Sequence, residues 1–321
     1  MPARQRTPRA GHTFRHWALL YRGQQGFLDA ALPFIREGIE AGEPTLVMVS
    51  AQKIELLRDA LEGEHEDVHF ADMDQVGVNP ARIIPAWRRF VEEHSDGERS
   101  LRGIGEPISA SRTAPQLVEC QRHEALLNLA FADAGDFELL CPYDSEALES
   151  EAIAEVERSH PVLVEDGRER PSDQYLGLEA IAEPFDAPLP DPPTCASEFS
   201  FDAATLGGLR AFIREYGHER DIEREAVENL VTGVNELAAN SVRHGGGRGT
   251  AKLWRDDGVL VCDIRDRGKL RAPLAPLAGR MKPPSRDLRG RGLWLANQIC
   301  DLIQLRSASD GTQARAHVAI A

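Results

Sequence analysis

The sequence predicts two domains: an N-terminal α/β domain with a mostly parallel sheet and a C-terminal α+β sandwich. Three observations carry this. Between residues 15 and about 160, short apolar runs alternate with longer stretches of helical spacing; residues 165–197 hold six prolines; and beyond them helices come first and strands after. Strand–helix alternation builds a parallel sheet, whereas helices segregated from strands build layers.

Size and composition agree with that division. A chain of 321 residues exceeds one typical core. With 28% charged and 42% hydrophobic residues it reads as a soluble globular protein, and no apolar run approaches the roughly 18–20 residues of a membrane helix. Residues 1–13 are basic without an apolar stretch, which predicts a disordered leader rather than a secretory signal. A formal charge of −15 argues against nonspecific nucleic-acid binding and suits basic protein partners. The five cysteines are scattered and never in CxxC spacing, so neither a disulfide framework nor a zinc site is expected, and a reducing cytoplasm is the expected compartment.

In the first domain, HWALLY (16–21), PTLVMVS (44–50), VHFADM (68–73), SLRGIGEP (100–107) and FELLCPYD (137–144) read as strands. Helical spacing fills 24–42, 52–63, 79–94 and 114–135. Ligands of such sheets usually lie beyond the strands' carboxyl ends. G-x-x-x-x-G-K-[ST] is absent, so there is no Walker A phosphate loop. The domain is expected over 14–164, and prolines 171, 184, 188, 190, 192 and 193 make 165–197 an extended linker.

The second domain, 198–321, opens with two predicted helices, at about 202–216 and 221–244. TAKLWRDDGVLVCDIRDRG follows as a strand, a DDG turn and a second strand. A Pro- and Arg-rich loop, 269–289, leads to a helix at about 291–302, and IQLRSASDGTQARAHVAI forms a last hairpin around Asp310 and Gly311.

Four short motifs in this domain fall in a fixed order. In NELAANSVRHGGG (235–247), Glu236, Asn240 and His244 stand four apart and share one helix face, while Val227, Leu230, Val234 and Leu237 supply the apolar face. Alone, this is an amphipathic helix ending in a glycine cap. Asp266-Arg267-Gly268 ends an apolar strand; a carboxylate there can accept from an adenine amino group, and glycine lets a flat base near the backbone. Gly290-Arg291-Gly292-Leu293 opens a helix whose N–H groups and dipole suit an anion. The loop before it carries Lys269, Arg271, Arg280, Lys282, Arg286 and Arg289 against a single acid, Asp287. Gly311-Thr312 then places a hydroxyl in the last hairpin.

Together these residues resemble the GHKL, or Bergerat-fold, ATP-binding family over about residues 200–321, with a compact spacing similar to anti-sigma-factor serine/threonine kinases. The resemblance implies a Bergerat-type sandwich that uses ATP and Mg²⁺. Carried over, Asn240 would ligate Mg²⁺ through its amide oxygen, and Glu236 would be the general base for a serine or threonine hydroxyl. Asp266 would read the adenine amine with Gly268 beneath the ring. Gly290 and Gly292, with the backbone of Arg291 and Leu293, would hold phosphates, and Thr312 would complete the base pocket. His244, Arg243 and the loop arginines are candidates for phosphate contact. The implied partners are a sigma factor and a STAS-like anti-sigma-factor antagonist, with no direct nucleic-acid or membrane contact; a homodimer is left open.

The first domain resembles the MEDS sensory domain of bacterial regulators over about residues 12–163. The stretches that carry this are HWALLY, LPFIREGIEAGEPTLVMV (32–49), Gly105-Glu106-Pro107, ECQRHEALLN (119–128), CPYD (141–144) and HP (160–161). That implies a RecA-like core with a sensory or docking role, and the polar candidates for a ligand pocket are His16, Tyr21, Glu106, Glu124, Tyr143 and His160. His123-Glu124 is also how a phosphoacceptor histidine often presents itself, though here without a long helical hairpin. The expected protein is an anti-sigma regulator in which a sensory module modulates a Ser/Thr kinase. A non-catalytic ATP-binding adaptor and a sensor histidine kinase are the alternatives.

Overall fold

The computed structural model describes residues 14–63, 67–181, 187–269, 276–283, 291–308 and 311–320. The predicted leader, Gly290, Asp310 and Arg271, Arg286, Asp287 and Arg289 of the basic loop lie outside the described residues. The chain forms two compact units: Met1–Met73 with Arg88–Ala110 and Leu127–Gly177, and Asp74–Trp87 with Ser111–Leu126 and Leu178–Ala321. Two early segments therefore pack with the C-terminal unit.

The elements up to Pro171 are β1 (Phe14–Tyr21), α1 (Gly23–Glu40), β2 (Thr45–Val49), α2 (Ala51–Leu61), β3 (Val68–Asp72), α3 (Met73–Val76), α4 (Ile83–His94), β4 (Leu101–Gly105), α5 (Ala114–Ala130), β5 (Phe137–Asp144), α6 (Ser150–Ser159), β6 (Val162–Glu165) and β7 (Arg168–Pro171). Seven strands pair in the order β3-β2-β4-β5-β1-β6-β7. Every pairing is parallel except that of β6 with β7. β2 and β4 are buried throughout, as parallel strands covered on both faces must be. The helix α6 and the β6–β7 hairpin have no counterpart in the sequence reading, and the hairpin carries the sheet into the stretch read as linker.

Arg102 of β4 is a buried charge in this unit. Its Nε donates to Glu43 Oε2 at 2.6 Å, its Nη1 donates to the Phe34 carbonyl at 2.9 Å, and its guanidinium lies over the Phe34 ring. Glu43 is itself buried, and Glu37 and Glu138 lie 3.5 and 3.8 Å from the same guanidinium, so the buried charges neutralise one another as a network.

The second unit adds β8 (Ser197–Asp202), α7 (Leu206–His218), α8 (Arg224–His244), β9 (Arg248–Asp256), β10 (Val259–Asp266), α9 (Arg291–Ile299), β11 (Leu302–Ala308) and β12 (Gly311–Ala319). An antiparallel sheet runs β11-β12-β10-β9-β8. The sequence predicts helices at the start of this domain; β8 precedes them as an edge strand. Val227, Leu230, Val234 and Leu237 of α8 join Leu253, Leu260, Cys262 and Ile264 of the sheet in one core, as the periodicity predicts.

The sheet's other face holds a buried ion network beside Val261 and Trp254. Asp263 is 1% exposed; its Oδ2 accepts from Arg315 Nη2 at 2.6 Å and from Gln313 Nε2 at 2.7 Å, and its Oδ1 accepts from Arg265 Nε at 3.1 Å. Arg265 also donates to Asp191 at 2.9 Å, and Arg315 donates to the Pro190 carbonyl at 2.6 Å, so the proline-rich stretch is fastened across this face. Burial, reinforced by Arg315, pushes His317 down from 6.5 to about 4. The early segments are held just as specifically. Asn79 and Arg82 donate to the carbonyls of Asn297 and Cys300 at 2.9–3.1 Å, satisfying groups that the end of α9 would otherwise leave open.

Two outcomes are expected. Arg102→Ala should destabilise the protein by about 3–5 kcal/mol by stranding the Glu43 charge, and the double change Arg102→Met with Glu43→Leu should recover most of that loss; denaturant unfolding followed by circular dichroism reads both. For His317, the unfolded chain takes up a proton near pH 6.5 whereas the folded chain resists until about pH 4. Stability is therefore lost as pH falls through that window, by up to about 3 kcal/mol. Thermal melts of His317→Gln should show a flatter dependence across the same range.

Candidate functional site

Along the C-terminal half of α8 stand parts of all four motifs, with Asp266, Gly268 and Thr312 at the helix's end and Gly292 beside Glu236. Asp266, the last residue of β10, accepts the Ser241 hydroxyl on Oδ2 and the Gly268 amide on Oδ1, the latter at 2.7 Å. These bonds fix the carboxylate plane, and a carboxylate retains further acceptor capacity in that plane. Thr312, register partner of Asp266 on β12, donates its hydroxyl to the Gly268 carbonyl at 2.8 Å. A side chain at Gly268 would meet the His244 carbonyl at 2.6 Å and the Gly245 Cα at 2.7 Å. The close approach that glycine permits is therefore to the end of α8.

Glu236, Asn240 and His244 lie along α8 as the spacing predicts; the first two are half-buried and His244 is exposed. Glu236 faces the opening turn of α9, where a Cβ on Gly292 would come within 2.5 Å of Glu236 Oε2. Arg291, Gly292 and Leu293 form that first turn and are half-buried. Arg280 departs from the expectation of a loop arginine open to phosphate. It is buried, donates to Glu119 Oε2 at 2.9 Å and is pushed down to about 10 by that burial. Glu119 also receives Arg306 at 2.8 Å, so the positive charge counted in the loop is partly spent within the fold.

The six polar candidates of the first domain do not form one group. Tyr21, at the carboxyl end of β1, donates to Glu106 Oε1 at 2.6 Å, and Lys53 in the first turn of α2 donates to both Glu106 oxygens at 2.5 and 2.6 Å. Burial raises the Glu106 carboxyl, while Lys53 and Tyr21 oppose the rise. His16, Tyr143 and His160 gather elsewhere: the two imidazoles have ring centroids 4.0 Å apart, and Tyr143 Oη is 3.4 Å from His160 Nε2. Glu124 is buried on α5, one turn before Asn128. Its neighbour His123 is 1% exposed, which counts against a phosphoacceptor role. Sequence reasoning missed Lys53, Ser241 and Cys141. Ser241 and Cys141 carried a local signal, since the first follows Asn240 within the same motif and the second opens CPYD.

Residues 15–161 match the family described as MEDS: MEthanogen/methylotroph, DcmR Sensory domain, and residues 199–318 match the histidine kinase-like ATPase domain. The chain joins a MEDS sensory domain to a histidine kinase-like ATPase domain. The latter implies ATP binding. Among solved structures, that of the RsbU and RsbW domains of a Mycobacterium tuberculosis protein is similar at 18% identity with a TM-score of 0.31; the match covers 40% of this chain and 33% of that chain. No curated protein matches. Among the described residues, no helix is long and apolar enough to cross a membrane.

Within the ATPase domain, two glycines meet different obstacles, and their substitutions should separate. A methyl at Gly268 runs into backbone, so Gly268→Ala should cost about 1–3 kcal/mol and loosen the end of α8. A methyl at Gly292 meets only the flexible tip of Glu236, so Gly292→Ala should cost clearly less. Thermal unfolding, with hydrogen exchange over residues 238–247, checks both.

Proposed function

We propose that the protein is an ATP-dependent serine/threonine kinase of the anti-sigma type, in which the MEDS domain modulates a kinase that phosphorylates a STAS-like anti-sigma-factor antagonist and sequesters a sigma factor. The observation that carries this reading is the placement of Glu236 and Asn240 on one face of α8, with Glu236 against the first turn of α9 and the Asp266–Gly268 turn at the helix's end. The acidic balance of −15 suits basic protein partners.

Each residue has a definite task in this reading. Asp266, its plane already set by Ser241 and Gly268, accepts the adenine amine. Arg291, Gly292 and Leu293 offer the first-turn amides of α9 to phosphate oxygens. The donor chemistry fits Mg²⁺: the Asn240 amide is a neutral, hard oxygen ligand beside the Glu236 carboxylate, and Asn240 would hold the ion through it. Bound Mg²⁺ supplies neutralisation of phosphate charge. Glu236 takes the proton of the acceptor hydroxyl as its oxygen bonds to the γ-phosphorus, while the bond from that phosphorus to the β–γ bridging oxygen breaks and ADP leaves.

Incubation with labelled ATP and a panel of purified antagonist proteins tests the proposal. Transfer to Ser or Thr is expected from the parent chain, with Glu236→Gln lowering it by at least about 100-fold while leaving nucleotide affinity unchanged. Asn240→Ala and Asp266→Ala should each abolish detectable Mg-ATP binding in calorimetry. ATP bound by the parent without transfer to any antagonist would instead identify a non-catalytic adaptor, and unchanged affinity in both binding variants would refute the site.

A further inference from the structure

His16, Cys141 and His160 meet inside the MEDS domain, drawn from β1, β5 and the residue after α6. They are 2%, 1% and 0% exposed, and one donor atom from each lies within 4.8 Å of the others. β1 pairs with both β5 and β6, so the central strand pairings of the sheet fix the trio.

The hydrogen bonds set the tautomer of both rings. His160 Nδ1 is 2.9 Å from the Val156 carbonyl, which can only accept, so the ring proton sits on Nδ1. Asn128 donates through Nδ2 to the Ser159 carbonyl at 2.8 Å, which orients its amide and turns Oδ1 toward His16 Nδ1 at 3.2 Å. His16 is thereby also protonated on Nδ1, and its Nε2 faces Cys141 Sγ at 3.3 Å. In each ring Nε2 is the nitrogen without the proton, facing Cys141 Sγ in His16 and the Tyr143 hydroxyl in His160, while Nδ1–H is anchored on an oxygen, which is how metal-binding imidazoles are held. The Tyr143 hydroxyl, 3.4 Å from His160 Nε2, can rotate to another acceptor.

We propose that His16, Cys141 and His160 form a binding site for a divalent transition metal of the zinc class. Zn–N bonds of about 2.0 Å and Zn–S bonds of about 2.3 Å place tetrahedral ligand atoms roughly 3.5 Å apart, close to the observed nitrogen–sulfur separation of 3.3 Å. Imidazole and thiolate donors select such an ion over Mg²⁺ or Ca²⁺, which take oxygen ligands. Binding forms two N–metal bonds and one S–metal bond and releases the Cys141 thiol proton to solvent; water or a carboxylate completes the coordination. The site clips β1, β5 and the start of β6 together, and it stands independently of the kinase reading.

Metal titration of the full-length, chelator-treated chain tests the proposal. Co²⁺ should produce a thiolate-to-cobalt charge-transfer band with tetrahedral ligand-field bands, saturating at one ion per chain and bleached by Zn²⁺. Cys141→Ser should remove the charge-transfer band, and Asn128→Ala, which releases the His16 ring, should weaken binding about 10–100-fold. Should Cys141→Ser not fold, the spectrum of the parent chain still decides. Absence of the charge-transfer band from the parent, or its survival in Cys141→Ser, would overturn the site. ATP affinity measured on the same preparations reads the other domain separately.

Discussion

Asp266 accepts a hydroxyl from Ser241 on α8 and an amide from Gly268 in its own turn, and these two bonds tie the last turn of the long helix to the end of β10. The absence of side chains at Gly245 and Gly268 lets the two segments touch, and Thr312 extends the tie to β12. Because α8 is one continuous helix back to Arg224, fixing its end also fixes the height of Asn240 and Glu236 above the sheet. The nucleotide site in the proposed reading thus sits on rigid elements.

The position of α9 has a different origin. Its last carbonyls are taken by Asn79 and Arg82, while Arg280 and Arg306 share Glu119, a carboxylate 1% exposed. Arg122 donates to the Leu305 carbonyl of the edge strand β11, occupying part of an edge that would otherwise invite pairing. These partners come from 79–82 and 119–122, far from α9 in sequence. A change in either segment would therefore uncover buried polar groups beside the helix that faces Glu236, and such groups are expensive to leave unmatched.

What the sequence discloses follows from how local each signal is. α8 is legible because its apolar positions repeat at 3.6 residues and its polar trio repeats at four, both within one element. The β9–β10 hairpin is legible through its DDG turn. β8 is hidden because SEFSFD is short, half-exposed and preceded by prolines, so composition dominates the pattern. Arg280 reads as loop charge in the sequence because its neutralising Glu119 lies 161 positions away. Among protein atoms the close contacts of Gly268 and Thr312 are to α8 and to the turn itself, which the motif alone does not disclose. Cysteine spacing is silent on Cys141 for the same reason: a cluster assembled from separate strands leaves no interval to recognise.

β1 makes the dependence on register concrete. His16, Ala18 and Leu20 point to one face of the parallel sheet, where Cys141 and Tyr143 stand opposite Ala18 and Leu20 on β5. Trp17, Leu19 and Tyr21 point to the other, and all three join the core that contains Phe27, Phe34 and Val47. The His–Cys group and the Tyr21–Glu106–Lys53 group thus occupy opposite faces, separated by five residues, or about 16 Å along the strand. A slip of one position would send His16 into the apolar layer and Tyr21 away from Glu106 together, at the cost of burying an imidazole without its Asn128 anchor. One register therefore serves two chemically distinct clusters, and the parallel pairings of β1 with β5 and β6 hold it.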